Sequence, residues 1–136
     1  MKRIDTRESI RPTIQANNYL KSLKEKGVFE RTIDAYLFAA AYAIKHNLEI
    51  ASIPSRDRQT HVMMNIVNED VRLALEAGIH AIRKRNQQLE PENSREVLEI
   101  ITQYAEAGVE SLRQRWEGKT AIQIQYDISK IINLCS

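Results

Sequence analysis

The sequence predicts an all-α fold, a single bundle of about five helices arranged around one central apolar helix, residues 32–46. Three observations lead there. Ten consecutive apolar residues, Ala35 to Ile44, stand between a helix-start and a helix-stop signal, and a helix apolar around most of its circumference has to be surrounded by other elements. Only four glycines and three prolines occur in 136 residues, too few for a turn-rich β protein. Apolar and charged contents of 43% and 28% are those of a globular domain, long enough to bury a core without disulfides or metals.

Residues 1–12 read as a charged N-terminal arm closed by Pro12, and residues 13–136 as one helical domain. From Thr13, the positions Ile14, Tyr19, Leu20 and Leu23 give one helix face, stopped by Gly27. Thr32 is placed to cap the central helix, and Asp34 lies in its first turn, where the dipole favours a negative charge. Ile33, Tyr36, Leu37, Ala40, Ala41 and Ile44 form its main stripe, and Lys45-His46-Asn47 ends it.

Residues 48–68 leave two readings open. Ile50, Ile53, Val62, Met64 and Ile66 suit short extended segments around Pro54 and the polar stretch 55–60, whereas 62–67 equally suits a short helix. Asn68 then caps a helix with Glu69 and Asp70 in its first turn. Its expected buried stripe is Val71, Ala74, Leu75, Gly78 and Ile82, and Arg83-Lys84-Arg85 is its basic end. After a polar linker containing Pro91, Asn93 and Glu96 have the spacing of a capping box. The helix that follows carries Val97, Ile100, Ile101, Tyr104, Ala105, Gly108, Leu112 and Trp116 on its apolar side and ends at Gly118. Thr120 starts a last helix with Ala121, Ile124, Ile128, Ile131 and Ile132 inward, although Ile122, Ile124, Tyr126 and Ile128 also alternate as a strand would.

Two helices share a pattern thirty residues apart: Glu76-Ala77-Gly78 running to Arg83-Lys84-Arg85, and Glu106-Ala107-Gly108 running to Arg113-Gln114-Arg115. A glycine inside a helix costs about 1 kcal/mol relative to alanine. Either these two helices cross at Gly78 and Gly108, or the likeness is a chance similarity of amphipathic segments.

No catalytic, metal-binding or cofactor-binding signature emerges. His46, His61 and His80 lie in separate segments, and none belongs to a metal-ligand pattern. His80 stands four residues after Glu76, an arrangement better suited to a solvated ion pair than to half a metal site. No nucleophile elbow exists, and the four glycines stand singly, so no phosphate-cradling loop can form. Glu106 and Glu110 share a helix face and read as surface charges. Cys135 cannot form an internal disulfide and reads as a small filler or part of a frayed tail, consistent with a reducing compartment. The apolar run is far short of the roughly 20 residues a membrane span needs. Met1-Lys2-Arg3-Ile4-Asp5 is not followed by an apolar signal core, so the expected location is the cytoplasm.

Charge gives the remaining lead. The balance of 20 basic and 18 acidic residues is too even to imply nucleic acid. The basic residues are nevertheless clustered: Arg56 and Arg58 in the polar loop, Arg83, Lys84 and Arg85 at one helix end, Arg113 and Arg115 near another. Converging, they would make a phosphate-contacting patch; separate, they are cations placed where helix dipoles favour them. Tyr36, Tyr42, Tyr104 and Trp116 fall on apolar faces and belong to the core rather than to a base-stacking platform.

Two segments carry a family resemblance. Phe29-Glu30-Arg31-Thr32-Ile33-Asp34-Ala35-Tyr36-Leu37-Phe38-Ala39-Ala40-Ala41 and Ile100-Ile101-Thr102-Gln103-Tyr104-Ala105-Glu106-Ala107-Gly108-Val109 are similar to motifs of a small family found beside bacterial DNA phosphorothioation (Dnd) modification and restriction systems. The likeness spans roughly residues 29–112. It implies a small accessory protein of a DNA-modification or anti-phage system, with no catalytic residues to carry over, that binds a larger ATPase, nuclease or DNA-modifying partner. The expected function is therefore a non-enzymatic adaptor acting by protein–protein binding, through a helix face such as Ala121–Leu134 unless that face packs onto Ile33–Ile44. A nucleic-acid-binding protein using the basic helix ends is the alternative, and a self-associating structural subunit a third.

Overall fold

A computed structural model of the chain describes residues 1–58 and 61–133. It contains five α-helices, α1 (Ile14–Glu25), α2 (Thr32–Lys45), α3 (Glu69–Arg85), α4 (Ser94–Arg115) and α5 (Ala121–Asn133), and a two-stranded antiparallel ribbon of β1 (Ser9–Ile10) and β2 (Val62–Met63). The fold is mainly all-α, built around α2 and α4, which make the most extensive interface in the molecule. α1 packs on both, α3 flanks both, and β1 lies against α4.

Local chemistry sets the helix starts. The Thr13 hydroxyl accepts from the amide of Ala16 (3.0 Å), and Asn68 and Asn93 accept from the amides of Asp70 (2.7 Å) and Glu96 (2.9 Å). These bonds satisfy amides that have no partner inside a helix. Thr120 and Gln123 form a reciprocal capping box: the Gln123 amide donates to Thr120 Oγ1 (3.3 Å) and the Thr120 amide to Gln123 Oε1 (2.9 Å). That box decides the C-terminal segment for helix against its strand-like alternation. Thr32 does not cap α2. Arg31 holds the cap position, and its guanidinium grips Asp34 of the first turn (2.7 and 3.1 Å). Gly27 and Gly118 follow α1 and α4 with φ of 77° and 75°, the left-handed conformation that ends a helix.

The alanines of α2 let α4 approach. Ala39, Ala40 and Ala43 are buried, and at Gly108 of α4 a Cβ would lie 2.0 Å from the carbonyl oxygen of Ala39. The glycine is thus required by backbone contact. The expected crossing of Gly78 with Gly108 is replaced by a different arrangement: both glycines face α2, and the nearest atoms to a Cβ at Gly78 are in the Ile44 side chain, 3.9 Å away. Around this seam Tyr36, Ile79, Ile101 and Val97 are fully enclosed, each such aliphatic side chain contributing roughly 1.5–3 kcal/mol. The Phe38 and Trp116 rings stack, 6.5 Å apart, beside it.

Several positions depart from the expected faces. In α1, Ile14 is exposed and Ala16 buried. In α3 the buried residues are Leu75, Glu76, Ile79, His80 and Ile82, while Val71 and Ala74 are exposed. The burial of Glu76 and His80 is due to the N-terminal arm. Ile4 and Ile10 are buried, Arg3 Nε donates to both Glu76 carboxylate oxygens (2.7 and 2.8 Å), and the amides of Ile4 and Lys2 donate to Glu76 (3.0 Å) and His80 Nε2 (3.0 Å). Glu76 and His80 are therefore not a solvated pair on a helix surface; each is covered by the arm. Segment 48–68 combines both readings in miniature: Val62–Met63 is extended and pairs with the arm, and Ser55–Asp57 and Met64–Ile66 are single 3₁₀ turns. Cys135, Leu134 and the Gln59-Thr60 part of the polar stretch lie outside the described residues.

Because the methyl of an alanine at 78 meets only ordinary van der Waals distance, Gly78→Ala is expected to stabilise the protein by up to about 1 kcal/mol. Thermal denaturation checks this; the melting temperature should rise by roughly 3–5 °C.

Candidate partner-binding groove

The central helix is not sheathed on every side. Eight of its residues are buried, but Phe38 and Ile44 are half-buried and Ala41 is exposed. They look into a groove of about 630 Å³ between α2 and α3. Leu37, Phe38, Ala41 and Ile44 form one wall; Val71, Ala74, Leu75 and Gly78 form the other. Phe29 and Val67 close one end. The two helices run side by side in the same direction: Arg31 Nη1, before α2, donates to the carbonyl of Ile66, before α3 (3.0 Å), and Asn86, after α3, donates to Asn47, after α2 (3.4 Å). Charge lies at the rims. Asp34 and Asp70 stand at the N-terminal end and Lys45 at the other. Asp34 is neutralised by Arg31, whereas Asp70 makes no ion pair within the described residues.

The groove wall on α3 is the stripe that the sequence pattern assigns to the core. Periodicity finds the apolar face correctly, but nothing in it says whether that face meets its own chain or remains open.

The seven basic candidates do not share one surface role. Arg58 has only 12% of its side chain exposed, grips both oxygens of Glu99 (2.8 and 2.6 Å) and donates to the carbonyl of Ile53 (2.6 Å). Arg113 is held by Glu110 (2.6 and 3.1 Å). Arg115 clamps Asp127 (2.7 and 2.9 Å) and reaches the Tyr42 hydroxyl (3.5 Å). Arg83 is half-buried, with a buried Nε that has no hydrogen-bond partner among the described residues. Arg56, Lys84 and Arg85 are exposed. Arg58, Arg113 and Arg115 are each paired with a different carboxylate: Glu99, Glu110 and Asp127.

Sequence reasoning missed four acidic or polar fasteners. Besides Glu76 and His80, Glu106 accepts from the Thr13 amide (3.1 Å), the Thr13 hydroxyl (2.7 Å) and the Tyr36 hydroxyl (2.7 Å), tying α1 and α2 to α4. It is therefore a structural acceptor rather than a surface charge. Burial, reinforced by the Glu106 charge, pushes the Tyr36 phenol well above its usual range. Asp127 is buried and also accepts from Trp116 Nε1 (2.7 Å), fixing α5 to the end of α4. Only Trp116 was visible as a signal for it, since a buried indole N–H needs an acceptor. On α5, Ile124, Asp127 and Ile131 face inward, and Ile122, Tyr126 and Ile132 are exposed. Among the described residues no three His, Cys, Asp or Glu side chains converge on a metal-sized site, and no helix is long and apolar enough to cross a membrane.

A family model described as DNA sulphur modification system-associated protein 4 matches residues 10–133, extending well beyond the two segments that carry the resemblance in the sequence. Comparison with curated proteins gives no match, and neither does comparison with solved structures.

The Asp127 clamp makes stability depend on pH. The Arg115 hydrogen bonds, aided by Trp116, hold the carboxyl down at about 2, below its ordinary 3.8. A depressed folded value means the stabilisation is fully present above the unfolded value and is lost as pH falls through about 2. It amounts to something on the order of 2 kcal/mol. Asp127→Asn should remove it at neutral pH and flatten the acid limb of a melting-temperature profile between about pH 4 and pH 2.

Proposed function

The chain belongs to the family of DNA sulphur modification system-associated protein 4, and from that premise we propose that it is a non-enzymatic accessory protein that holds an amphipathic helix of another protein of that system in the α2/α3 groove. The α2/α3 groove is the observation that carries the reading. Its walls are apolar and its two helices parallel, so a third helix laid between them buries its own apolar face. Ala41, Ala74 and Gly78 keep the walls low, which lets a partner helix come within ordinary packing distance. Gly78 adds to this: it costs helix stability, and no contact among the described residues requires it. The rims specify direction, since Asp70 favours a basic residue at one end of the incoming helix and Lys45 an acidic residue at the other.

Co-expression with the other proteins of the DNA sulphur modification system tests this. Ala41 and Ala74 are exposed, so Ala41→Glu and Ala74→Glu should leave the melting temperature within the small range of surface substitutions. Each should weaken capture of the partner at least about tenfold, because a charge enters the apolar contact. Unchanged capture by both variants, or no member of the system captured by the wild type, contradicts the proposal.

A further inference from the structure

A second cleft, of about 600 Å³, opens where β1, Arg58 and the N-terminal half of α4 meet. Four arginines line it, Arg7, Arg11, Arg58 and Arg95, against the two carboxylates Glu8 and Glu99. The bidentate pair with Arg58 consumes Glu99. Arg7 is 89% exposed and pairs with Asp5 in a solvated contact that leaves its remaining nitrogen free to meet an anion. Arg11 donates through Nη2 to the Arg58 carbonyl, and its buried Nε has no partner among the described residues. Arg95 is exposed, makes no ion pair within the described residues, and stands in the first turn of α4. A cation there opposes the helix dipole. Cations at helix C-termini have a ready explanation in the dipole; Arg95 has none.

We infer that this cleft binds a phosphate-type oxyanion through Arg7, Arg11 and Arg95, with Arg58 as its fixed wall. Guanidinium forks suit tetrahedral oxyanions, which accept two parallel hydrogen bonds from each. The Ser9 and Ser55 hydroxyls in the same lining supply further donors. The acid opposing this is Glu8, the one carboxylate of the lining without an ion pair within the described residues. A bound oxyanion neutralises the surplus of arginines and gives the buried Arg11 Nε an acceptor. The site differs from the helix-end cluster Arg83, Lys84 and Arg85 in every residue, and it lies apart from the α2/α3 groove.

The source of the oxyanion is either free phosphate or a phosphodiester of DNA, and two probes separate them. The full chain is titrated against a short fluorescein-labelled DNA duplex by anisotropy at several salt concentrations, and its melting temperature is followed with added inorganic phosphate. Variants are Arg7→Gln/Arg95→Gln, with Arg95→Glu alone as the second form should the double variant unfold, and Arg83→Gln/Lys84→Gln/Arg85→Gln as the control. Duplex binding weakened at least about tenfold by Arg7→Gln/Arg95→Gln, with a salt slope smaller by about 2 and the control unchanged, supports the cleft with DNA as the source. A phosphate-dependent rise in melting temperature that the same variant abolishes, without duplex binding, supports it with free phosphate as the source. Binding of neither probe overturns the inference. So does binding that survives both cleft variants, or that only the control removes.

Discussion

The constraint on which the packing depends is the contact of the α4 backbone at Gly108 with the α2 backbone at Ala39. Two helices meet there with no side chain between them. The rest of the packing follows from that distance. Ala39, Ala40 and Ala43 present almost no bulk to the seam, so larger residues on either side, Tyr36, Ile101 and Trp116 among them, close over it. Dispersion attraction across so close an approach is weak for any one pair of atoms but is summed over many pairs. It offsets the roughly 1 kcal/mol that a mid-helix glycine costs.

Polar fasteners then fix the peripheral elements on this pair. Glu106 receives Thr13 and Tyr36, so the start of α1 and the middle of α2 share one acceptor on α4. Asp127 receives Arg115 and Trp116 and fixes α5. Glu76 receives the N-terminal arm. Each carboxylate is largely or partly withdrawn from water, and each accepts several hydrogen bonds, as a buried polar group requires. With α4 and α1 packed on its other sides, α2 keeps one open flank beside α3. That flank is where the family membership and the geometry meet: a protein associated with a DNA sulphur modification system has a preformed apolar groove at the side of its central helix.

Much of this was legible in the sequence because it depends on local rules. The run Ala35–Ile44, the caps at Asn68, Asn93 and Thr120, and the stops at Gly27 and Gly118 fix helices by chemistry within a few residues of each end. The family likeness was legible for a related reason, since the alanine run and the Tyr104–Gly108 stretch are the two sides of the seam. What was hidden depends on distant partners. Gly78 and Gly108 sit in look-alike segments, yet one meets a backbone and the other a flexible side chain. Glu76 and His80 look like surface residues until an arm more than seventy residues away covers them. The same holds for the two-residue strands, too short to show any periodicity, and for Arg58, whose partner Glu99 lies forty-one residues on.

The α2–α4 seam holds the fold together, and Gly108→Ala tests that role directly. Alanine is the better helix former by about 1 kcal/mol, so propensity alone predicts a more stable protein. A Cβ placed 2.0 Å from a backbone oxygen instead forces the helices apart. Thermal denaturation should show a net loss of at least about 2 kcal/mol, a fall of roughly 5–10 °C in melting temperature, with faster amide exchange along Ala39–Ala43. A melting temperature equal to or above that of the wild type would contradict it.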